Sequence, residues 1–438
     1  MTGSWWSSAD RVEVPAGAVA RGVAHLPGSK SLTHRAYAAA LLARKPVTVV
    51  GALRAEDTER FLDALEVLGF DVVRAAERIE IAPRSVAPLV GRIDCGDAGT
   101  LLRFLTALVT TISGEWTLDG SARLRERPLA PLLVALRQLG ARIDELGAPG
   151  RAPLRVRGGS LGAGRVRLDA GQSSQFLSAL LLAGQRAPGP IEIELDALTS
   201  EPYIGLTTEV LLAFRGHVER PQPNRLRTRP SELRGGEFGV EADLSAAAYP
   251  AAAAALTGGD VLLERVRLGS HQGDRRLLTL LAEMGAELVA EERGVRVRGG
   301  ALRGLQVEAG DIPDQVPTLA ALAPFARGTT RITGAEHLRL KESDRLGALA
   351  SELGRAGARV RELVDGLEIA GTWSEHDPPA ERVEIDPHGD HRIAMAMALV
   401  GLRRPNLSIR NPGVVAKSWP GFWECLAELL SLPSGGPR

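Results

Sequence analysis

Aromatic residues are scarce in this sequence, 4% of 438 residues, although apolar residues reach 44%. The core must therefore be filled by aliphatic and small side chains, closely packed. There are two cysteines, Cys95 and Cys425, at no metal-ligand spacing. No disulfide framework is expected, and a reducing, cytoplasmic compartment is. Neither sign of charge is in excess, with 53 basic and 53 acidic residues. That balance argues against a protein devoted to nucleic acid or a membrane surface, and makes any cationic site local. Long apolar runs are missing too. Residues 246–256 are too short to span a bilayer and contain Pro250. Residues 1–10 lack the basic and apolar regions of a signal peptide.

What is present is a repeat. An amphipathic leucine helix, a glycine and a β-branched strand recur at residues 61–73, 132–143, 210–218, 277–289 and 348–360. The glycines are Gly69, Gly140, Gly216, Gly285 and Gly357, spaced by 71, 76, 69 and 72 residues. Each suits the left-handed position that ends a helix. A sixth helix is expected over 422–432. Between these phrases lie helices with polar heads: 28–35, 95–103 (CGDAGTLLR), 171–175 (GQSSQ), 241–245 (EADLS), 311–318 (DIPDQVPT) and 387–392 (PHGDHR). One unit reads β-α-β-α-β-β, six times over. The length calls for more than one core, so the α/β chain divides into two domains of three units around pseudo-threefold axes. These are residues 27–240, and 1–26 with 241–438, with a hinge at the two crossings near 26 and 241. Residues 12–25 read as strands that complete the last units. The heads would face an interdomain cleft.

The first head, Pro27 to Arg35 (PGSKSLTHR), shows why heads matter. Gly28 or Ser29 can cap the helix, and its free N–H groups and dipole favour an anion. Lys30 and Arg35 add charge, and Ser31 and Thr33 add hydroxyls. A capped surface helix would need no such concentration. Three further stretches are dense in charge or polar groups: 123–128 (RLRERP), 337–345 (HLRLKESDR) and 415–420 (VAKSWP). In the second, Lys341 and Arg345 are expected on one helix face with Glu342 beside them. Three other motifs are set aside. Gly28–Ser31 lacks the spacing of a phosphate-binding P-loop. Residues 158–162 (GGSLG) fit the GxSxG pattern, but no helix follows and a hairpin turn is expected. Asp386, His388, Asp390 and His391 have no partner cluster for a metal.

PGSKSxxxR, DAGTxxR, RERP, SSQF, SEPY, IPD, KESDRL, GDHR and AKSWP occur here in order. In this the chain resembles the 5-enolpyruvylshikimate-3-phosphate synthase family, over nearly its whole length. The resemblance implies that family's two-domain fold, an inside-out α/β barrel in each half. It implies transfer of enolpyruvyl from phosphoenolpyruvate to the 5-hydroxyl of shikimate 3-phosphate, through a tetrahedral intermediate. It implies no metal or organic cofactor, a monomer, and glyphosate as an inhibitor. The shikimate-phosphate side would use Ser31, Arg35, Ser173, Ser174, Gln175, Ser200, Tyr203, Asp314, His337 and Lys341. The phosphoenolpyruvate side would use Lys30, Gly99, Arg127, Gln175, Arg345, His391, Arg392 and Lys417. Proton transfer would fall to Lys30, Asp314 and Glu342, with Lys417 assisting, in roles left open. Two phosphates at about −1.5 to −2 each, with two carboxylates, match this supply of cations. His34, Asp97, Phe104 and His337 depart from the family's frequent Asn, Asn, Pro and Asn, which bears on affinity and inhibitor tolerance. The sister enzyme acting on UDP-N-acetylglucosamine usually carries a cysteine in the stretch matching 119–128, and this chain has none there. A non-catalytic phosphometabolite-binding protein would not need Asp314, Glu342 and Lys417 together.

Overall fold

The computed structural model describes residues 10–373 and 381–432. Residues 1–9, read above for a signal sequence, lie outside them. The chain divides into two compact units, Met1–Pro27 with Ala242–Arg438, and Gly28–Glu241. Each has its own aliphatic core.

Among the described residues the strands form six sheets, five of four strands and one of three. Each larger sheet has the same order. A parallel pair comes first, and an antiparallel hairpin extends it, as in Val90–Asp94, Glu115–Asp119, Leu154–Arg157 and Arg142–Glu145. The six polar heads open the helices Lys30–Ala43, Gly99–Leu108, Gln175–Ala183, Leu244–Thr257, Val316–Leu322 and His391–Gly401. These are apolar on nearly all sides, and every residue of His391–Gly401 is buried. An all-round apolar helix belongs in an interior. Accordingly the first three touch one another in one unit, and the last three do so in the other. Alanine-rich faces such as that of Leu244–Thr257 permit this close approach. The sheets lie outside, where strands such as Arg78–Pro83 alternate exposed and buried residues.

Four readings of the sequence need correction. The N-terminal strands do not both join the last units. Arg11–Glu13 pairs with Leu407–Arg410 in the three-stranded sheet, but Arg21–Ala24 runs parallel to Asp260–Glu264 in the fourth unit. Likewise Gly236–Gly239 supplies the first strand of the first unit, beside Val47–Val50. Arg21–Ala24 thus joins its sheet from beyond both chain crossings, whereas Gly236–Gly239 returns from the far end of the same compact unit. Residues 158–162 are not a hairpin turn, because Leu154–Arg157 and Gly164–Ala170 belong to different sheets. Gly216 does not adopt a positive φ. Arg215 does, at 62°, while Gly69, Gly140, Gly285 and Gly357 do as expected. Gly216 is small for another reason: a Cβ there would lie 2.9 Å from Gln185 Oε1. Finally, Lys341 shares no helix with Arg345. Asp344 accepts from Gly347 N at 3.1 Å and starts the helix at Arg345, leaving Lys341 in the preceding irregular segment.

Candidate active site

In the Gly28–Glu241 unit, Ser29 caps the Lys30–Ala43 helix, accepting from Leu32 N at 3.5 Å. Gly28 runs so close to the next turn that a Cβ would sit 1.9 Å from Gly51 O. Lys30 Nζ lies 3.2 Å from Asp57 Oδ2. Thr33 faces inward, its hydroxyl accepting from Leu53 N at 3.0 Å. His34 is buried and bonds Lys30 O through Nδ1 at 2.9 Å. Burial pushes its pKa down to about 4, with Lys30 adding to the shift and Asp57 opposing it, so the ring is neutral at pH 7. Arg35 is also buried. It donates to Thr207 Oγ1 at 2.8 Å, Ser31 O at 2.9 Å, Tyr203 O at 3.0 Å and Ser178 Oγ at 3.3 Å. Its guanidinium carbon lies 5.5 Å from the centre of the Phe104 ring. Phe104, the departure from the family's proline, thus packs beneath this cation. Arg35 anchors the head from inside, and its charge is offset by neutral oxygens in the bonds just named.

The next two heads carry no side-chain cap, at Ala98 and Ser174. Gly99 makes room for Arg127, since a Cβ on residue 99 would stand 2.5 Å from its Nη1. Of the three arginines in the RLRERP stretch, Arg127 alone is buried. Arg125 forks onto Asp119 with two 2.8 Å bonds, and Arg123 pairs with Glu126. Gln175 is held at both ends of its amide, by Arg103 Nη1 at 2.7 Å and by Thr100 Oγ1 at 2.8 Å. Ser173, Ser174 and Ser200 are buried. Ser200 holds a left-handed φ of 54°, an uncommon state for serine. Tyr203 is partly buried, its ring 5.9 Å from Arg35.

In the other unit the charges form one cluster. Arg345 is buried among three carboxylates: Asp390 Oδ2 at 2.7 Å, Glu342 Oε2 at 2.8 Å and Asp314 Oδ1 at 3.0 Å. Burial alone would lower its pKa, but Asp390, Glu342 and Asp314 outweigh burial and raise it. Asp314 also accepts from Arg392 Nη2 at 2.7 Å. Asp390 caps the His391–Gly401 helix, accepting from Arg392 N at 2.9 Å. His391 and Lys417 are buried, and Lys341 is partly buried. His337 is lowered to about 4 by burial and by Lys341 and Arg345, against Asp314. Each unit thus carries its own set of cations and acceptors near its helix heads.

The sequence model of the family described as EPSP synthase (3-phosphoshikimate 1-carboxyvinyltransferase) matches residues 15–426. The chain belongs to the EPSP synthase family. It is 45% identical to the 3-phosphoshikimate 1-carboxyvinyltransferase of Syntrophobacter fumaroxidans over 412 residues, 93% of this chain and 96% of that one. It is 42% identical to the enzyme of the same name from Methanoculleus marisnigri, over 91% of this chain and 94% of that one. The solved EPSP synthase of Acinetobacter baumannii superposes with a TM-score of 0.79 at 29% identity, over 95% of this chain and 97% of that one. The fold of this EPSP synthase family member is therefore the two-domain enolpyruvyl transferase fold. Among the described residues, no group of three or more His, Cys, Asp or Glu side chains is placed to hold a metal ion. Within 386–391, His388 bonds Glu352 and Asp386 caps His388 N. No described helix is long and apolar enough to cross a membrane.

Sequence reasoning left Asp57, Thr100, Arg103 and Asp390 out of the assigned residues. Arg103, Thr100 and Asp390 stood inside the matched motifs. Asp57 had no signal beyond its place in the first turn of the Glu56–Val67 helix.

Proposed function

We propose that this chain carries out the reaction of its family, transferring the enolpyruvyl group of phosphoenolpyruvate to the 5-hydroxyl of shikimate 3-phosphate and releasing phosphate. The observation that carries the reading is the Asp314–Arg345–Arg392 cluster with Glu342, in which anion-binding guanidinium groups touch carboxylates able to move protons. The acceptor falls to Ser31, Arg35, Ser173, Ser174, Gln175, Ser200, Tyr203, Asp314, His337 and Lys341. Arg35, buried and fully engaged with its own unit, shapes that surface from beneath. Phosphoenolpyruvate falls to Lys30, Gly99, Arg127, Gln175, Arg345, His391, Arg392 and Lys417. Both assignments draw on both units, so both contribute to one reaction, and one chain carries every residue named. Glu342, Asp314 and Lys30 exchange protons with the methylene carbon and the hydroxyl, with Lys417 assisting. Glyphosate, a small anion, competes for the phosphoenolpyruvate residues. The test is phosphate release from phosphoenolpyruvate with shikimate 3-phosphate, with UDP-N-acetylglucosamine, and with no acceptor. Release is expected only with shikimate 3-phosphate; equal release with any other acceptor, or none at all, overturns the reading.

A further inference from the structure

The helix Arg345–Arg355 does more than present Arg345. It also holds alternate residues of the segment that leads into the helix His391–Gly401. Arg355 Nη2 donates to Glu384 O at 2.8 Å. Glu352 Oε2 accepts from Asp386 N at 3.2 Å, and Glu352 Oε1 accepts from His388 Nε2 at 3.1 Å. Arg345 Nε donates to Asp390 Oδ2 at 2.7 Å. Residues 384, 386, 388 and 390 are thus tied to one helix. Arg345 and Glu352 stand about two turns apart on it, and so share a face.

The Glu352 side chain is 2% exposed, and it carries no substrate assignment. Arg355 Nη1 also donates to it, at 3.0 Å. A buried carboxylate needs donors of this kind. His388 supplies one from a side chain that is itself 40% exposed. The backbone shows what that bond does. His388 has a φ of 53° and Gly389 a φ of 68°, two left-handed residues in succession. The state suits glycine but is uncommon for histidine. It persists where the surroundings hold it in place. Here Asp386 Oδ1 accepts from His388 N at 2.7 Å, and Glu352 holds the ring. The turn so formed delivers Asp390 to the start of the next helix, where it accepts from Arg392 N at 2.9 Å.

We propose that His388 is a positioning residue for the phosphoenolpyruvate side of the site: by its bond to Glu352 it locks the 386–390 turn, and so sets where Asp390 holds Arg345. The proposal rests on the function proposed above, which gives Arg345 and Arg392 to phosphoenolpyruvate, and adds a residue to it. His388 acts at a distance, through Glu352 and the turn. A misplacement of about 1 Å at a binding group can cost on the order of 100-fold.

Steady-state kinetics of His388→Asn and His388→Gln test this. Asparagine tolerates the left-handed backbone but is too short to reach Glu352. The glutamine amide extends about as far as the imidazole Nε2 and can donate. His388→Asn is expected to raise the KM for phosphoenolpyruvate roughly tenfold, with less change in kcat and in the KM for shikimate 3-phosphate. His388→Gln is expected to recover most of that loss. A bond that only stabilises the fold would lower the Tm and leave both KM values as in wild type. That result overturns the proposal, as does an equal rise in the two variants. A crystal structure of His388→Asn reads the same point without turnover. Asp390 and Arg345 moved apart support the proposal, and the pair still in place overturns it. Wild type that releases no phosphate is failure of the function, a separate outcome.

Discussion

At the scale of single residues, the site depends on side chains whose surroundings leave little freedom. Gly99 has no Cβ because Arg127 occupies that space. A methyl group there meets the far end of a flexible side chain, so Gly99→Ala should displace Arg127 without unfolding the protein. The lost charge-assisted bond is worth roughly 1.5–3 kcal/mol. Steady-state kinetics should show a KM for phosphoenolpyruvate raised about tenfold or more, with an unchanged Tm. Glu342→Gln keeps the size of the side chain and removes the acid. Turnover should fall roughly 10²–10⁴-fold, with little change in shikimate 3-phosphate affinity by titration. His34 gives a pH signature. Its folded pKa is about 4 against 6.5 ordinarily, so the unfolded chain binds the proton more readily. The stabilisation is whole above pH 6.5 and is lost as pH falls from 6.5 towards 4. Its full size is on the order of a few kcal/mol. Denaturation at pH 7 and pH 4.5 should show that His34→Asn loses less stability on acidification than wild type does.

At the scale of elements, the starts of helices place the chemistry. The six heads are where backbone N–H groups lack partners, and the motif residues gather there. Half of them are capped by a side chain, at Ser29, Asp243 and Asp390. Asp344 has a different task, since it fixes Arg345 as the first residue of the Arg345–Arg355 helix, beside the carboxylates. Asp344→Ala should cost about 1 kcal/mol in urea unfolding and raise the KM for phosphoenolpyruvate. Asp344→Asn, also a good cap, should restore most of both. An equal loss in the two variants would shift the weight to the Arg339–Asp344 ion pair.

At the scale of the whole molecule, each unit is closed by a strand delivered from beyond its own first repeat: Gly236–Gly239 for one and Arg21–Ala24 for the other. The two chain crossings follow from the second of these strands, because residues 1–27 belong to the unit that resumes at Ala242. Substrate residues are assigned to both units, so binding both substrates should draw the units together. That would exclude water from the reacting atoms. Small-angle scattering should show a smaller radius of gyration with saturating shikimate 3-phosphate and glyphosate than without ligand. An unchanged radius would leave no role for such a closure.

The sequence by itself determined the family, the sixfold repeat and the helix heads, because each is written in a short run of neighbouring residues. Gly69, Gly140, Gly285 and Gly357 end their helices where the periodicity put them. The matched motifs identified most of the residues that cluster. Tertiary structure alone decided how these residues are used. It turned Arg127 inward and left Arg123 and Arg125 on the surface. It buried Arg35 against Thr207, set Asp57 beside Lys30, and joined Arg345 to Asp390. It also took Lys341 off the helix that charge spacing had assigned it. Those partners stand 172, 27 and 45 residues apart in the chain. No local pattern records such pairings, because folding alone brings their side chains within bonding distance.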